Sequence, residues 1–160
     1  MPATLSDLLA DPRLGLRLLT DHSSAPEVLA RPIRWVATSE LVDPTPYLHG
    51  GELLLTTGLG LPRGDAALRA YAQRLVGAAV VGLGYGIGLV TDSVPARLLA
   101  AAGEHGLPVV EVDQPTPFIA ISKAVADVLA ADQVADLRRG ITGQQALTRA
   151  AVPGGPRAVL

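Results

Sequence analysis

The 160-residue sequence contains no cysteine, which excludes disulfide frameworks, thiol catalysis and cysteine-based zinc sites. Aromatic residues are scarce: one Trp, three Tyr and one Phe, too few for a base-stacking platform or an aromatic cage. An excess of positive charge is missing too. Formal net charge is −2, and the 13 Lys and Arg, of which only Lys123 is lysine, are scattered and leave no electrostatic footprint for nucleic acid. The three histidines, His22, His49 and His105, lie too far apart for a local metal motif, so no metal or cofactor is expected. The one segment worth testing as a membrane span, the uncharged Leu75 to Thr91, is shorter than the roughly 20 apolar residues of a spanning helix and is broken by glycines, which predicts a buried strand with a Gly-rich exit. The opening MPATLSDLLADPRLG lacks a basic start followed by an apolar stretch of signal-peptide length, so a cytoplasmic chain is expected.

Nearly half of the residues, 49 %, are hydrophobic, enough for one sizeable core built from Ala, Leu, Val and Gly. A short N-terminal helix with Thr4 as N-cap is predicted first. A strand follows over Ile33–Thr38, with Ile33, Trp35 and Ala37 on one face and Arg34, Val36 and Thr38 on the other. Asp43 caps a turn or single helical turn begun at Pro44. Leu53-Leu54-Leu55 has the continuous apolar character of a strand covered on both faces. A helix is expected over Asp65–Val76, a strand over about Ala79–Leu83, a helix from Val94 to a C-cap at Gly106, and a strand over Val109–Val112. Strands separated by helices of this length are joined by right-handed crossovers and run parallel. The fold class is therefore α/β: a layered domain with a mainly parallel four-stranded or slightly larger sheet, flanking helices and a long C-terminal helix. That helix opens at Phe118, with a stop signal at Leu137-Arg138-Arg139-Gly140, and Pro156–Leu160 reads as the first turn of another. The organisation implied is an α/β unit over residues 1–117 and a helical connector over 118–160 leading toward further domains.

In parallel sheets ligands gather outside the carboxyl ends of the strands. Four loops are expected there: Ser39-Glu40, Thr56-Thr57-Gly58, Gly84-Tyr85-Gly86 and Asp113-Gln114-Pro115-Thr116. The candidate ligand residues are Glu40, Thr56, Thr57, Gly58 and Thr116. The competing reading is turn chemistry alone, with the threonines bonding the turn and Gly58 and Gly60 supplying positive φ. Glu52, at the amino end of its strand, reads as a brace for the loop and not as a catalytic acid. His105, at a helix C-terminus, reads as a cap. The alternate glycines from Gly82 to Gly88 do not fit G-x-G-x-x-G, and neither a phosphate-binding loop nor a nucleophile elbow occurs, so an enzyme is not expected. Ile121, Val125, Val128, Leu137 and Ile141 form an apolar stripe on the last helix, open to two readings: a dimer or connector face, or ordinary core packing.

The run Trp35-Val36-Ala37-Thr38-Ser39-Glu40-Leu41, then Asp43-Pro44 with Tyr47-Leu48, then Gly50-Gly51-Glu52-Leu53-Leu54-Leu55-Thr56-Thr57-Gly58 resembles the N-terminal domain of the PucR family, purine-catabolism-regulator-like bacterial transcription factors. Gly82-Leu83-Gly84, Gly106-Leu107-Pro108-Val109-Val110-Glu111-Val112 and Pro115-Thr116-Pro117-Phe118-Ile119 extend the likeness, although Asp113 and Gln114 stand where the family usually has Val or Pro. The resemblance implies a regulatory domain that senses a small nitrogenous metabolite, or dimerises or docks without one. It also implies DNA binding only through a separate C-terminal helix-turn-helix, and the apolar stripe on the last helix leads us to expect a homodimer.

Overall fold

The structure, a computed structural model, describes the backbone of residues 2–151 and the side chains of residues 2–138. A five-stranded sheet has the order β1-β5-β4-β3-β2, where β1 is Arg17–Leu18, β2 Trp35–Thr38, β3 Glu52–Thr56, β4 Gly82–Gly86 and β5 Val109–Val112. The last four are mutually parallel and β1 pairs antiparallel with β5, which gives the mainly parallel sheet expected. Helices α2 (Asp65–Gly77) and α3 (Ala96–His105) supply the crossovers and pack on one face, while α1 (Leu5–Ala10) and α4 (Phe118–Ala151) cover the other.

Two cores result. Leu54, Leu83, Tyr85 and Val109 meet Leu68, Tyr71, Leu75 and Leu98 on the α2–α3 side. Leu53, Leu55, Val110 and Val112 meet Leu5, Leu8, Ile121 and Val125 on the α1–α4 side. Every residue of β3 is buried, as the uninterrupted apolar run requires of a doubly covered strand.

Strand β4 lies three residues later than expected at each end. Ala79, at φ 61°, closes the exit from α2, and the glycines read as the strand's exit are the strand itself. Gly82, Gly84 and Gly86 share one face because the side-chain period is two. A Cβ on them would meet Leu5 Cδ1, Leu55 Cδ2 and Phe118 Cζ respectively, so the bare backbone lets side chains settle onto the sheet.

Helix α1 begins with a capping box: Asp7 N–H donates to Thr4 Oγ1 at 3.2 Å and Thr4 N–H to Asp7 Oδ2 at 3.0 Å. Gly106, at φ 68°, caps α3 in the left-handed conformation, as expected. Two corrections concern a boundary and a face. Helix α4 runs through Gly140 and Gly143 to Ala151: each interior glycine costs about 1 kcal/mol, and the Gln, Ala, Leu and Arg residues that follow are good helix formers. The expected turn at Pro156–Leu160 lies outside the described residues. Ile33 and Trp35 do not share an environment, since Ile33 is buried against α1 just before the strand starts while Trp35 is 66 % exposed. Two elements lacked a signal in the sequence, the two-residue β1 and the 3-10 helix Pro26–Ala30.

The apolar stripe on α4 divides. Ile121 and Val125 are buried in the core and Val128 packs against it, whereas Leu137 is 65 % exposed. The side chain of Ile141 lies outside the described residues. Among the described residues no helix is long and apolar enough to cross a membrane.

Candidate functional site

At the carboxyl ends of β3, β4 and β5 the loops converge on the edge the strand order predicts. Glu40, just beyond β2, reaches across to the end of β3. Its Oε1 accepts from Thr56 Oγ1 at 2.6 Å, and its Oε2 accepts from Thr57 N–H at 2.8 Å and Thr57 Oγ1 at 2.7 Å. Gly58 N–H in turn donates to Thr56 Oγ1 at 3.2 Å. Burial opposes ionisation of the Glu40 carboxyl, but donation from Thr56, Thr57 and the backbone of Gly60 outweighs it and holds the pKa below its ordinary value.

This cluster dictates its own glycines. At Gly58, with φ 87°, a Cβ would collide with the hydroxyl of buried Tyr85, and at Gly60 it would collide with the Glu40 carbonyl. The Tyr85 hydroxyl is satisfied by Thr91 Oγ1 at 2.9 Å, which ties the loop after β4 to the same cluster.

Beside it opens a cleft of about 470 Å³, lined by Thr57, Gly86, Ile87, Leu89, Val112, Asp113, Gln114, Thr116, Pro117 and Phe118. Of the expected ligand residues, Thr57 and Thr116 reach the cleft. Glu40, Thr56 and Gly58 form the brace behind it and are not among its lining residues. Thr116 Oγ1 donates to the Leu14 carbonyl at 2.6 Å, fixing the loop that leads into α4. The apolar walls, Ile87, Leu89 and Phe118, escaped the sequence reading because they look like core residues there. The available signal was Gly88, whose φ of 96° turns the loop after β4 against the Gln114 side chain. Asp113 is the one charged residue in the lining, and Asp113 Oδ1 already accepts from Gln114 N–H at 2.7 Å.

At the opposite end of β3, Glu52 is buried, and its carboxylate accepts from His49 N–H at 2.6 Å and Gly50 N–H at 2.8 Å. It is the loop brace expected. Asp43 Oδ1 accepts from Thr45 N–H at 3.1 Å, but the helical turn is Thr45–Tyr47 with Pro44 at its N-cap, so Asp43 stands one residue ahead of the cap position expected for it. His105 ends α3, with Nε2 buried and without a hydrogen-bond partner. Among the described residues no three His, Asp or Glu are grouped to hold a metal ion.

The chain is 31 % identical over 130 residues to the transcriptional activator PmfR of Paenarthrobacter nicotinovorans, an alignment that covers 81 % of this chain and 27 % of that protein. The chain therefore spans about a quarter of the length of the curated relative it matches. No solved structure matches significantly. The sequence pattern of the purine catabolism regulatory protein-like family, PucR, fits residues 7–149, nearly the whole chain. By that match and by the relative, the chain belongs to the PucR family of transcriptional regulators.

Proposed function

We propose that these residues form a regulatory domain that binds a small effector in the cleft and passes the event to α4, with DNA contacts made by a separate helix-turn-helix of the whole regulator. The observation that carries this reading is the make-up of the cleft. One wall comes from the loops of the sheet, and the other is Thr116, Pro117 and Phe118, the entry and first residue of α4. An occupant touching both walls changes the free energy of α4's position relative to the sheet, which is what a relay requires.

The lining favours an uncharged, nitrogen-bearing ring. Ile87, Leu89, Val112 and Phe118 accept an apolar body, while Asp113 and Gln114 offer partners for N–H and C=O groups. With no Lys, Arg or His in the lining, an anion would lose hydration without gaining a counter-charge. Binding is favoured over catalysis because Glu40, the carboxylate bonded to the lining residue Thr57, is committed to hydrogen bonds within the protein.

The test is a thermal-shift titration of the 160-residue chain with purine bases, cyclic ureas and lactams, alongside their carboxylate analogues. A dose-dependent rise in Tm is expected with the uncharged rings, since a ligand that binds only the folded state must stabilise it. No rise with any of them at millimolar concentration overturns the reading.

A further inference from the structure

The two edges of the sheet are treated differently. Strand β1 is two residues long and carries an ion pair, Arg17 to Glu111 at 3.1 Å, both features that discourage pairing with another strand. Strand β2 carries no such guard: Trp35-Val36-Ala37-Thr38 has no charge and no proline.

Its hydrogen-bonding groups are also free. Ser39 N–H donates to the Leu55 carbonyl at 3.0 Å. The alternation of a parallel ladder therefore turns the N–H and C=O of Ala37 toward β3, and those of Val36 and Thr38 outward. Among the described residues no loop or side chain bonds to them. Apolar grooves flank the strand. Trp35, Val36, Ser122, Val125, Ala126 and Leu129 line one of about 200 Å³, and Ala37, Leu41, Pro44, Tyr47 and Leu48 contribute to another of about 250 Å³. Trp35 and Tyr47, 66 % and 73 % exposed, are two of the five aromatic residues in the chain, and exposed Trp and Tyr are typical anchors of protein interfaces.

We propose that β2 pairs antiparallel with β2 of a second copy of this chain, about a two-fold axis at Ala37 normal to the sheet. The strand is complementary to itself in that register. Val36 faces Thr38 of the second copy and Thr38 faces its Val36, so all four outward groups of each copy find partners. Ala37 faces its own counterpart, where a small side chain is needed. Arg34 and Glu40, the charges flanking the strand, are opposite in sign, and the axis brings Arg34 to the end where the second copy has Glu40. A ten-stranded sheet results. The axis keeps α4 of both copies on one face, closing the Val36–Val125–Leu129 groove between them.

Sedimentation equilibrium of the 160-residue chain, with the Thr38→Pro variant alongside, tests this. Proline is tolerated on an edge strand where the lost N–H points outward, so the variant keeps the β2–β3 ladder while removing one donor per copy from the new join. A wild-type dimer whose Kd rises at least ten-fold in Thr38→Pro, with an unchanged far-UV circular dichroism spectrum, supports the proposal. A wild-type chain monomeric to several hundred micromolar overturns it, and so does a dimer that Thr38→Pro leaves intact. Should Thr38→Pro fail to fold, Ala37→Cys decides. Residues facing each other in a non-hydrogen-bonded antiparallel pair have Cα atoms about 4.5 Å apart, within disulfide reach. The chain has no other cysteine. Mild oxidation is expected to cross-link Ala37→Cys rapidly while leaving Leu59→Cys, at an exposed loop site, monomeric. Equal cross-linking of the two overturns the proposal.

Discussion

Glu40 and Thr57 are joined twice, the Glu40 Oε2 accepting from both the backbone N–H and the side-chain hydroxyl of Thr57. The contact links the exit of the edge strand to the exit of its neighbour β3, and its second residue also lines the cleft. Replacing Glu40 by Gln puts an amide where donors converge and weakens charge-assisted bonds. The expected loss is about 2 kcal/mol in urea unfolding, with the loop amide resonances of Thr57 and Gly58 shifted in NMR spectra.

The same pair sets a pH dependence. Folding lowers the Glu40 pKa, so its contribution is complete above the ordinary carboxylate value and is lost as pH falls through the lower folded value. The stability difference between wild type and Glu40→Gln is expected to shrink on acidification from pH 6 toward the acid limit of folding. A difference independent of pH would contradict the assignment.

His22 works at higher pH. Burial lowers its pKa against a smaller opposing pull from Asp21, and Nε2 lies 2.7 Å from Thr20 Oγ1, which itself accepts from Val109 N–H. The sign follows from the depressed value: stability is full above the unfolded pKa of about 6.5 and declines as pH drops through the folded one. Wild type is expected to lose stability below about pH 6.5, with that part of the loss missing from His22→Gln when their urea midpoints are compared.

Two glycines should respond in opposite directions. Gly60→Ala drives a Cβ into the Glu40 backbone carbonyl, which cannot move without the brace, and a loss of more than about 3 kcal/mol is expected. Gly103→Ala, at an α3 position with nothing within 4 Å of the new Cβ, is expected to gain about 0.8 kcal/mol from helix propensity. Thermal unfolding of the two variants checks both signs.

Leu54→Ala removes a side chain that is fully buried in the interior strand β3. A loss of about 3 kcal/mol is expected in chemical unfolding, and hydrogen exchange in β3 should quicken by the factor that this loss implies.

The elements legible in the sequence were those with a strong local signal. Leu53-Leu54-Leu55 announced a covered strand, Thr4 a cap, and Gly106 a helix end, and the structure has all three. The register of β4 was not legible, because glycine is a poor strand former in isolation and only Leu5, Leu55 and Phe118 pressing onto the sheet explain its presence. The continuation of α4 past Gly140 misled for the converse reason: a local stop residue was outweighed by the helix-forming residues around it. At the site, Glu40, Thr56 and Thr57 were picked out by position at the strand ends. That they would bind one another, leaving the cleft to Thr57, Thr116 and apolar neighbours, depends on distances of 16 and 17 residues along the chain and has no local signature.

Helix α4 starts at the cleft with Phe118 and continues for 34 residues, about 50 Å at 1.5 Å per residue. Its sheet contacts are made within its first three or so turns, through Ile121, Val125 and Leu129. Geometry then amplifies small events: a tilt of about 5° about the Phe118 end displaces the far tip of a straight helix by about 4 Å. A shift of a few tenths of an ångström at the cleft thus becomes, at Ala151, a displacement on the scale of a side chain.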